Sequence, residues 1–123
     1  MSFNKENLTE EELNRLNKIS QEGYELFKRS ETELAKKKFE ELLELDHTNQ
    51  YGLVGLGDVA RRNKDCKLAV TYYQKCLQYH HENKYAIIGL ADAFRDLREY
   101  EQAIRLWEHF LALYDPDITV LTR

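Results

Sequence analysis

The chain has 123 residues, which is enough for one domain or one short array of repeats. Its five Gly and one Pro are too few for a β-sandwich or barrel, and 18 basic against 22 acidic residues (net charge −4) argue against a nucleic-acid or anionic-membrane surface. No apolar run approaches the roughly 18 residues of a membrane span. The N-terminal segment has no apolar signal core, so with two cysteines we expect a reducing, cytoplasmic location.

The first predicted helix, over residues 10–29, has a complete start signal. Thr9 is placed to cap it, and Glu12, three residues later, completes a capping box. Leu8 and Leu13 are spaced for a hydrophobic staple across this start. We therefore expect the helix to extend ahead of the repeats described below and to cover their N-terminal end.

Apolar residues recur at helical spacing along the rest of the chain. They predict five further helices, over 33–45, 50–62, 66–80, 84–97 and 100–114. Asn49, Asn83 and Asp117 each precede a predicted helix start, and such side chains accept hydrogen bonds from the free N–H groups of a first turn. An all-α protein follows from this pattern.

The helices form pairs that repeat with a period of 34 residues. Residues 50–83 align with 84–117, and residues 16–49 fit the same frame more loosely. The aligned pairs include Tyr51 with Tyr85, Gly55 with Gly89, Asp58 with Asp92 and Arg61 with Arg95. A fixed period of this length is typical of a solenoid, in which each unit packs on its neighbours.

The period and its small residues resemble the tetratricopeptide repeat (TPR) family. The stretches Ala35-x3-Phe39, Ala69-x3-Tyr73 and Ala103-x3-Trp107 match one part of the family pattern. The resemblance implies a right-handed solenoid of three helix-turn-helix units, over 16–49, 50–83 and 84–117. Residues 1–15 would form a tail and the helix extension, and residues 118–123 the start of a fourth unit. This last segment indicates either a longer array or an open end that self-associates.

The resemblance also implies which residues face a concave groove lined by the first helix of each unit. The predicted peptide-binding positions are Tyr24, Phe27, Tyr51, Val54, Gly55, Asp58, Arg61, Arg62, Tyr85, Ile88, Gly89, Asp92 and Arg95. Tyr, Val and Ile would supply apolar contact, and the glycines would allow close approach of a ligand.

Two interpretations of the charged groove residues stay open. Arg61 and Arg95 could pair with carboxylates of a partner. Alternatively, Asp58 with Arg61 or Arg62, and Asp92 with Arg95, are ion pairs on the helix surface. The places where family members carry a Lys/Asn clamp for a terminal carboxylate hold Ser20, Tyr24, Gly55, Tyr85 and Gly89 here, which argues against chaperone-tail recognition.

The sequence shows no phosphate-binding loop, no nucleophile elbow and no metalloprotease motif. We therefore expect no enzyme activity, no cofactor and no metal. The function predicted is a scaffold that binds a peptide segment or helix of another protein, without nucleic acid or membrane as partner. One alternative is homo-oligomeric assembly through the open C-terminal end or the groove, and a more remote one is a regulatory part of an enzyme.

Overall fold

A computed structural model describes residues 3–114 of the chain, and within them every regular element is helical. A 3₁₀ turn (Lys5–Asn7) precedes α1 (Glu10–Lys28), α2 (Thr32–Leu45), α3 (Gln50–Arg62), α4 (Cys66–Tyr79), α5 (Lys84–Asp96) and α6 (Tyr100–Tyr114). The predicted helix bounds are confirmed to within one residue at each end. Asp117 as a cap and residues 118–123 as a fourth unit lie outside the described residues.

The helix starts are fixed by the caps that the sequence predicts. The hydroxyl of Thr9 accepts from the Glu12 N–H (3.0 Å), and the Glu12 carboxylate accepts from the Thr9 N–H (3.1 Å), which completes the capping box. The side chains of Asn49 and Asn83 accept from backbone N–H groups in the first turns of α3 and α5. These local bonds set where each helix begins, because they satisfy N–H groups that have no partner within the helix.

The turn inside each pair of helices has the same backbone conformation. Ser30, Lys64 and Arg98, 34 residues apart, all have positive φ angles of 63–66°. The N–H of the following residue bonds back across each turn, as Asp65 does to the carbonyl of Ala60 (2.8 Å). This is the helix-ending geometry that normally favours glycine, and here three other residues adopt it. Each pair of helices is therefore turned in the same way.

Each helix packs against the next one in the chain, and the first helices α1, α3 and α5 also contact one another in order. The aromatic rings of the second helices lie between these first helices. Phe39 and Tyr73 are fully buried, and a side chain added at the neighbouring glycines would meet their rings within 2.7 Å. Gly23 and Gly55 enclose Phe39 in this way, whereas Gly57 and Gly89 enclose Tyr73. A ring between two glycines thus joins each unit to the next.

Two hydrogen bonds near the ends of the helices add to this packing. The amide of Asn83 donates to the side-chain oxygen of Gln50 (2.7 Å), and the ring Nε2 of His80 bonds the carbonyl oxygen of Thr48 (2.6 Å). The bond from His80 joins the second unit to the first, whereas the bond from Asn83 joins the two ends of the second unit. None of the described helices is long and apolar enough to cross a membrane.

Candidate functional site

The face formed by α1, α3 and α5 carries a cavity of about 470 Å³, which we call the tyrosine cavity. All three helices contribute to it because the 34-residue period places equivalent residues side by side. Its walls are largely apolar, and two charged side chains reach it. The lining residues are Tyr24, Tyr51, Val54, Asp58, Arg61, Tyr85, Ile88 and Gly89.

Every lining residue of the tyrosine cavity is among the predicted groove positions. Tyr85 is 62% exposed and Tyr51 is 46% exposed, so both rings are accessible at the cavity wall. The ammonium of Lys84 lies 5.2 Å from the centre of the Tyr85 ring. Val54 is buried and belongs to the core, so that it presents only a small surface to the cavity. Large aromatic side chains left open on a helical face provide apolar contact area for a ligand.

The floor of the tyrosine cavity contains a half-buried acid, Asp58, which a tyrosine of α4 holds from the core side. The hydroxyl of Tyr73, on α4, donates a hydrogen bond of 2.5 Å to Oδ1 of Asp58. Burial raises the pKa of Asp58 above its ordinary value of 3.8, although the hydrogen bond from Tyr73 and the charges of Arg61 and Arg62 act in the opposite direction. Burial and the nearby charge of Asp58 also raise the pKa of Tyr24. The carboxylate of Asp58 and the hydroxyls of Tyr24 and Tyr73 therefore lie in one partly desolvated region.

Tyr73 belongs to the site, although it was not among the predicted groove positions. Its position looked like core packing, because Phe39 and Trp107 occupy the same place in the other units. A signal was present, since Tyr73 alone of the three carries a hydroxyl, and a buried hydroxyl needs a hydrogen-bond partner. That partner is the groove carboxylate.

The arginines of the groove form one of the ion pairs that the sequence suggests, and further pairs that it does not. Arg61 lies 3.6 Å from Asp92 and 3.9 Å from Asp96, both on the next unit. Arg95 lies 3.6 Å from Asp92 and 3.5 Å from Asp96. The expected pair of Asp92 with Arg95 is therefore present, whereas an ion pair of Asp58 with Arg61 or Arg62 is not found among the described residues. Arg61 instead turns across to α5, where two carboxylates are within reach.

Arg62 and Phe27 form a separate contact beside the tyrosine cavity. The guanidinium of Arg62 lies 3.7 Å from the centre of the Phe27 ring, and its Nη1 donates to the Phe27 carbonyl oxygen (2.8 Å). Together they line a second, more polar cavity of about 460 Å³, along with Asp58, Arg61, Lys64 and Asp96. Since Asp58 and Arg61 line both cavities, the groove continues from an apolar part into a polar one. Lys64 was not among the predicted positions.

The groove glycines have a packing role that was not predicted. A Cβ atom at Gly55 would lie 2.5 Å from ring atoms of Phe39, and one at Gly89 would lie 2.5 Å from Cζ of Tyr73. Gly55 is buried and does not line the cavity. The rings beneath both glycines therefore account for their recurrence, while Gly89 also lines the tyrosine cavity.

The described residues contain no group of three or more His, Cys, Asp or Glu side chains placed to hold a metal ion. Cys66 and Cys76 are free thiols. Cys76 is buried, and burial raises the pKa of its thiol to about 11, so it is protonated near neutral pH. It packs as a small apolar side chain.

The sequence matches no family model, and no curated protein matches it either. Its structure is nevertheless similar to several solved structures. The first TPR of Spaghetti (RPAP3), bound to the HSP90 peptide SRMEEVD, superimposes with a TM-score of 0.77 at 17% identity, over 84% of this chain and 81% of that one. PcrH from Pseudomonas aeruginosa gives 0.76 at 20% identity, over 87% and 79% of the two chains.

The type III secretion translocator chaperone SycD from Yersinia enterocolitica, in an alternative dimer, gives a TM-score of 0.76 at 19% identity, over 97% of this chain and 88% of that one. At this level of identity the likeness concerns the path of the backbone. It agrees with the all-α repeat solenoid that the sequence predicts.

Proposed function

We propose, from the premise that this chain has the tetratricopeptide-repeat fold, that it is a non-catalytic module for protein–protein interaction. It binds a peptide segment or a helix of a partner in the groove formed by α1, α3 and α5. The observation that carries this proposal is the tyrosine cavity, where aromatic rings stand exposed on the face that the packing of the repeats leaves open. We propose a cytoplasmic location, a reducing setting that suits a chain with two free thiols.

The packing of the protein does not require these exposed side chains. Tyr51, Tyr85 and Ile88 lie on the open side of α3 and α5, whereas the opposite sides of the same helices form the buried core. Tyrosines are over-represented at protein interfaces, and the most important anchors of an interface are clustered near its centre. The cavity is also large enough to enclose one or two side chains of a ligand.

The ligand is expected to differ from the acidic HSP90 peptide bound by the similar Spaghetti structure. The two arginines that could attract carboxylates, Arg61 and Arg95, are already paired with Asp92 and Asp96. Asp58 adds a further negative charge to the cavity. An acidic peptide would have to displace existing ion pairs and approach a carboxylate.

A direct test uses a displayed random-peptide library, selected on the wild-type protein. Tyr85→Ala should weaken the binding of the selected peptides by about 30-fold, since loss of a central aromatic anchor costs about 2 kcal/mol. Tyr100→Ala removes an exposed tyrosine from α6, away from the cavity, and should leave the affinity unchanged. Lys37→Ala on α2 provides a second control. Weakening by Lys37→Ala with no effect of Tyr85→Ala would place the binding site elsewhere and refute the proposal.

Self-association is a second candidate function, which one feature of α6 favours. Ile104 is 49% exposed and Leu111 is 41% exposed, whereas the equivalent Val70 and Leu77 on α4 pack against the core cluster of the second and third units. A second copy of the chain would cover these side chains in the way that the third unit covers those of α4.

A further inference from the structure

No Lys or Arg side chain among residues 3–114 forms an ion pair with Asp58, although the charges of Arg61 and Arg62 are near enough to favour its ionised form. Its carboxylate lines the tyrosine cavity and accepts one hydrogen bond, from the neutral hydroxyl of Tyr73. A carboxylate has two oxygens with several acceptor positions, so this single bond leaves most of its capacity unused. Removing such a group from water is unfavourable unless a donor or a cation meets it.

The nearest cations are engaged elsewhere. Arg61 and Arg95 pair with Asp92 and Asp96 in a cluster of two positive and two negative groups. Arg62 lies against the ring and carbonyl oxygen of Phe27. The negative charge at the cavity floor is therefore not cancelled by a direct partner.

The walls above Asp58 suit a cation with an apolar stem. Tyr51 and Tyr85 belong to equivalent positions of adjacent units and are both exposed at the cavity, with Ile88 beside them. Aromatic faces attract ammonium and guanidinium groups, and most strongly where water is excluded. Lysine and arginine also bury their methylene stems against apolar surface while their charged ends find a polar partner.

We infer that the tyrosine cavity takes a lysine or arginine side chain of the bound peptide, with its charged end at Asp58 and its stem against Tyr51 and Tyr85. This inference rests on the proposed function and names the chemistry that the groove selects. Tyr73 acts as a positioning residue, because its hydroxyl holds the carboxylate from the core side. The second cavity, where Arg62 and Lys64 lie beside Asp96, then follows along the peptide from the basic anchor.

The experiment starts from the library peptides selected on the wild-type protein and resynthesised with one position changed. Where a selected peptide has a basic residue, it is replaced by norleucine, which keeps the stem without the charge, or by glutamate. Affinities are measured by fluorescence anisotropy for the wild type and for Asp58→Asn. Asparagine keeps an oxygen that can accept from Tyr73, so the fold is retained. Glu40→Gln, an exposed site on α2, gives the same change of charge outside the groove.

We expect the selected peptides to share a lysine or arginine. Replacing it by norleucine should weaken binding to the wild type by about tenfold or more, as for a hydrogen bond to a charged group. The same replacement should change binding to Asp58→Asn by about twofold or less, and the Glu40→Gln protein should behave as the wild type.

Two outcomes would overturn the inference. If the selected peptides share no basic residue, or if norleucine weakens binding equally in the wild type and Asp58→Asn, Asp58 does not recognise a cation. A loss of binding by Tyr85→Ala in that same set would show that the groove still binds peptides, so that only the inference fails. Peptides that bind Tyr85→Ala and the wild type equally would remove the proposed function as well.

Discussion

Replacement of Gly57 by alanine reports on the packing that joins the units. A Cβ atom at this position would lie 2.5 Å from Cε1 of Tyr73 and 2.8 Å from Cδ1 and Cζ. The ring cannot move away, because a Cβ at Gly89 on its other side would also lie 2.5 Å from Cζ, and its hydroxyl is bonded to Asp58. An alanine here must therefore displace a helix.

Two opposing magnitudes decide the sign of the effect. Alanine is better than glycine inside a helix by about 1 kcal/mol, whereas overpacking a core costs about 1–3 kcal/mol. Since the ring is held on both sides, we expect the upper part of that range and a net destabilisation of about 1–2 kcal/mol. Urea unfolding followed by far-UV circular dichroism should show a midpoint lower by about 0.5–1 M.

A second background makes this reasoning refutable. In Tyr73→Leu the ring atoms near Gly57 are gone, so Gly57→Ala should lose its cost and gain from helix propensity. The effect of Gly57→Ala would then change sign between the two backgrounds. Two results would show that the ring does not need the glycine. One is a stabilising effect of Gly57→Ala in the wild type, and the other is an equal loss of stability in both backgrounds.

Two further predictions concern Asp58 and α6. Because burial raises the pKa of Asp58 in the folded protein, its ionisation costs stability at pH above that raised pKa, and this cost disappears as the pH falls towards 3.8. The free energy of unfolding of Asp58→Asn, minus that of the wild type, should therefore increase as the pH rises through this window. Urea titrations at several pH values measure this difference, and a decrease with rising pH would contradict a raised pKa for Asp58. For self-association, Ile104→Ser with Leu111→Ser should lower the mass of any dimer found by light scattering, whereas an unchanged dimer would place its interface away from α6.

The helix bounds could be predicted because their determinants are local. Thr9, Asn49 and Asn83 carry side chains that cap a following helix, and the small and apolar residues recur with one period. The lining of the tyrosine cavity could also be predicted, since equivalent places on α1, α3 and α5 share one face once the repeat is known. These features depend on position within the unit and not on the neighbouring unit.

The polar contacts of the groove could not be predicted in the same way. Arg61 had acids within reach in its own helix and in the next unit, and the choice of Asp92 and Asp96 depends on how α3 and α5 lie side by side. Tyr73 reaches Asp58 from another helix layer. To predict such pairings one must know the distances between helices, and the spacing of residues along the chain does not give those distances.

The rings held between glycines affect how such an array can change in length. Phe39 packs against Gly55 of the next unit, and Tyr73 packs against Gly89 of the next unit. Successive units therefore meet through equivalent contacts between a ring and a glycine. Excision of residues 50–83 would bring the ring of Phe39 against Gly89, a wall that already fits an aromatic side chain. Whole units can thus be duplicated or lost without redesign of the joint, whereas a cut inside a unit leaves a ring without its second wall.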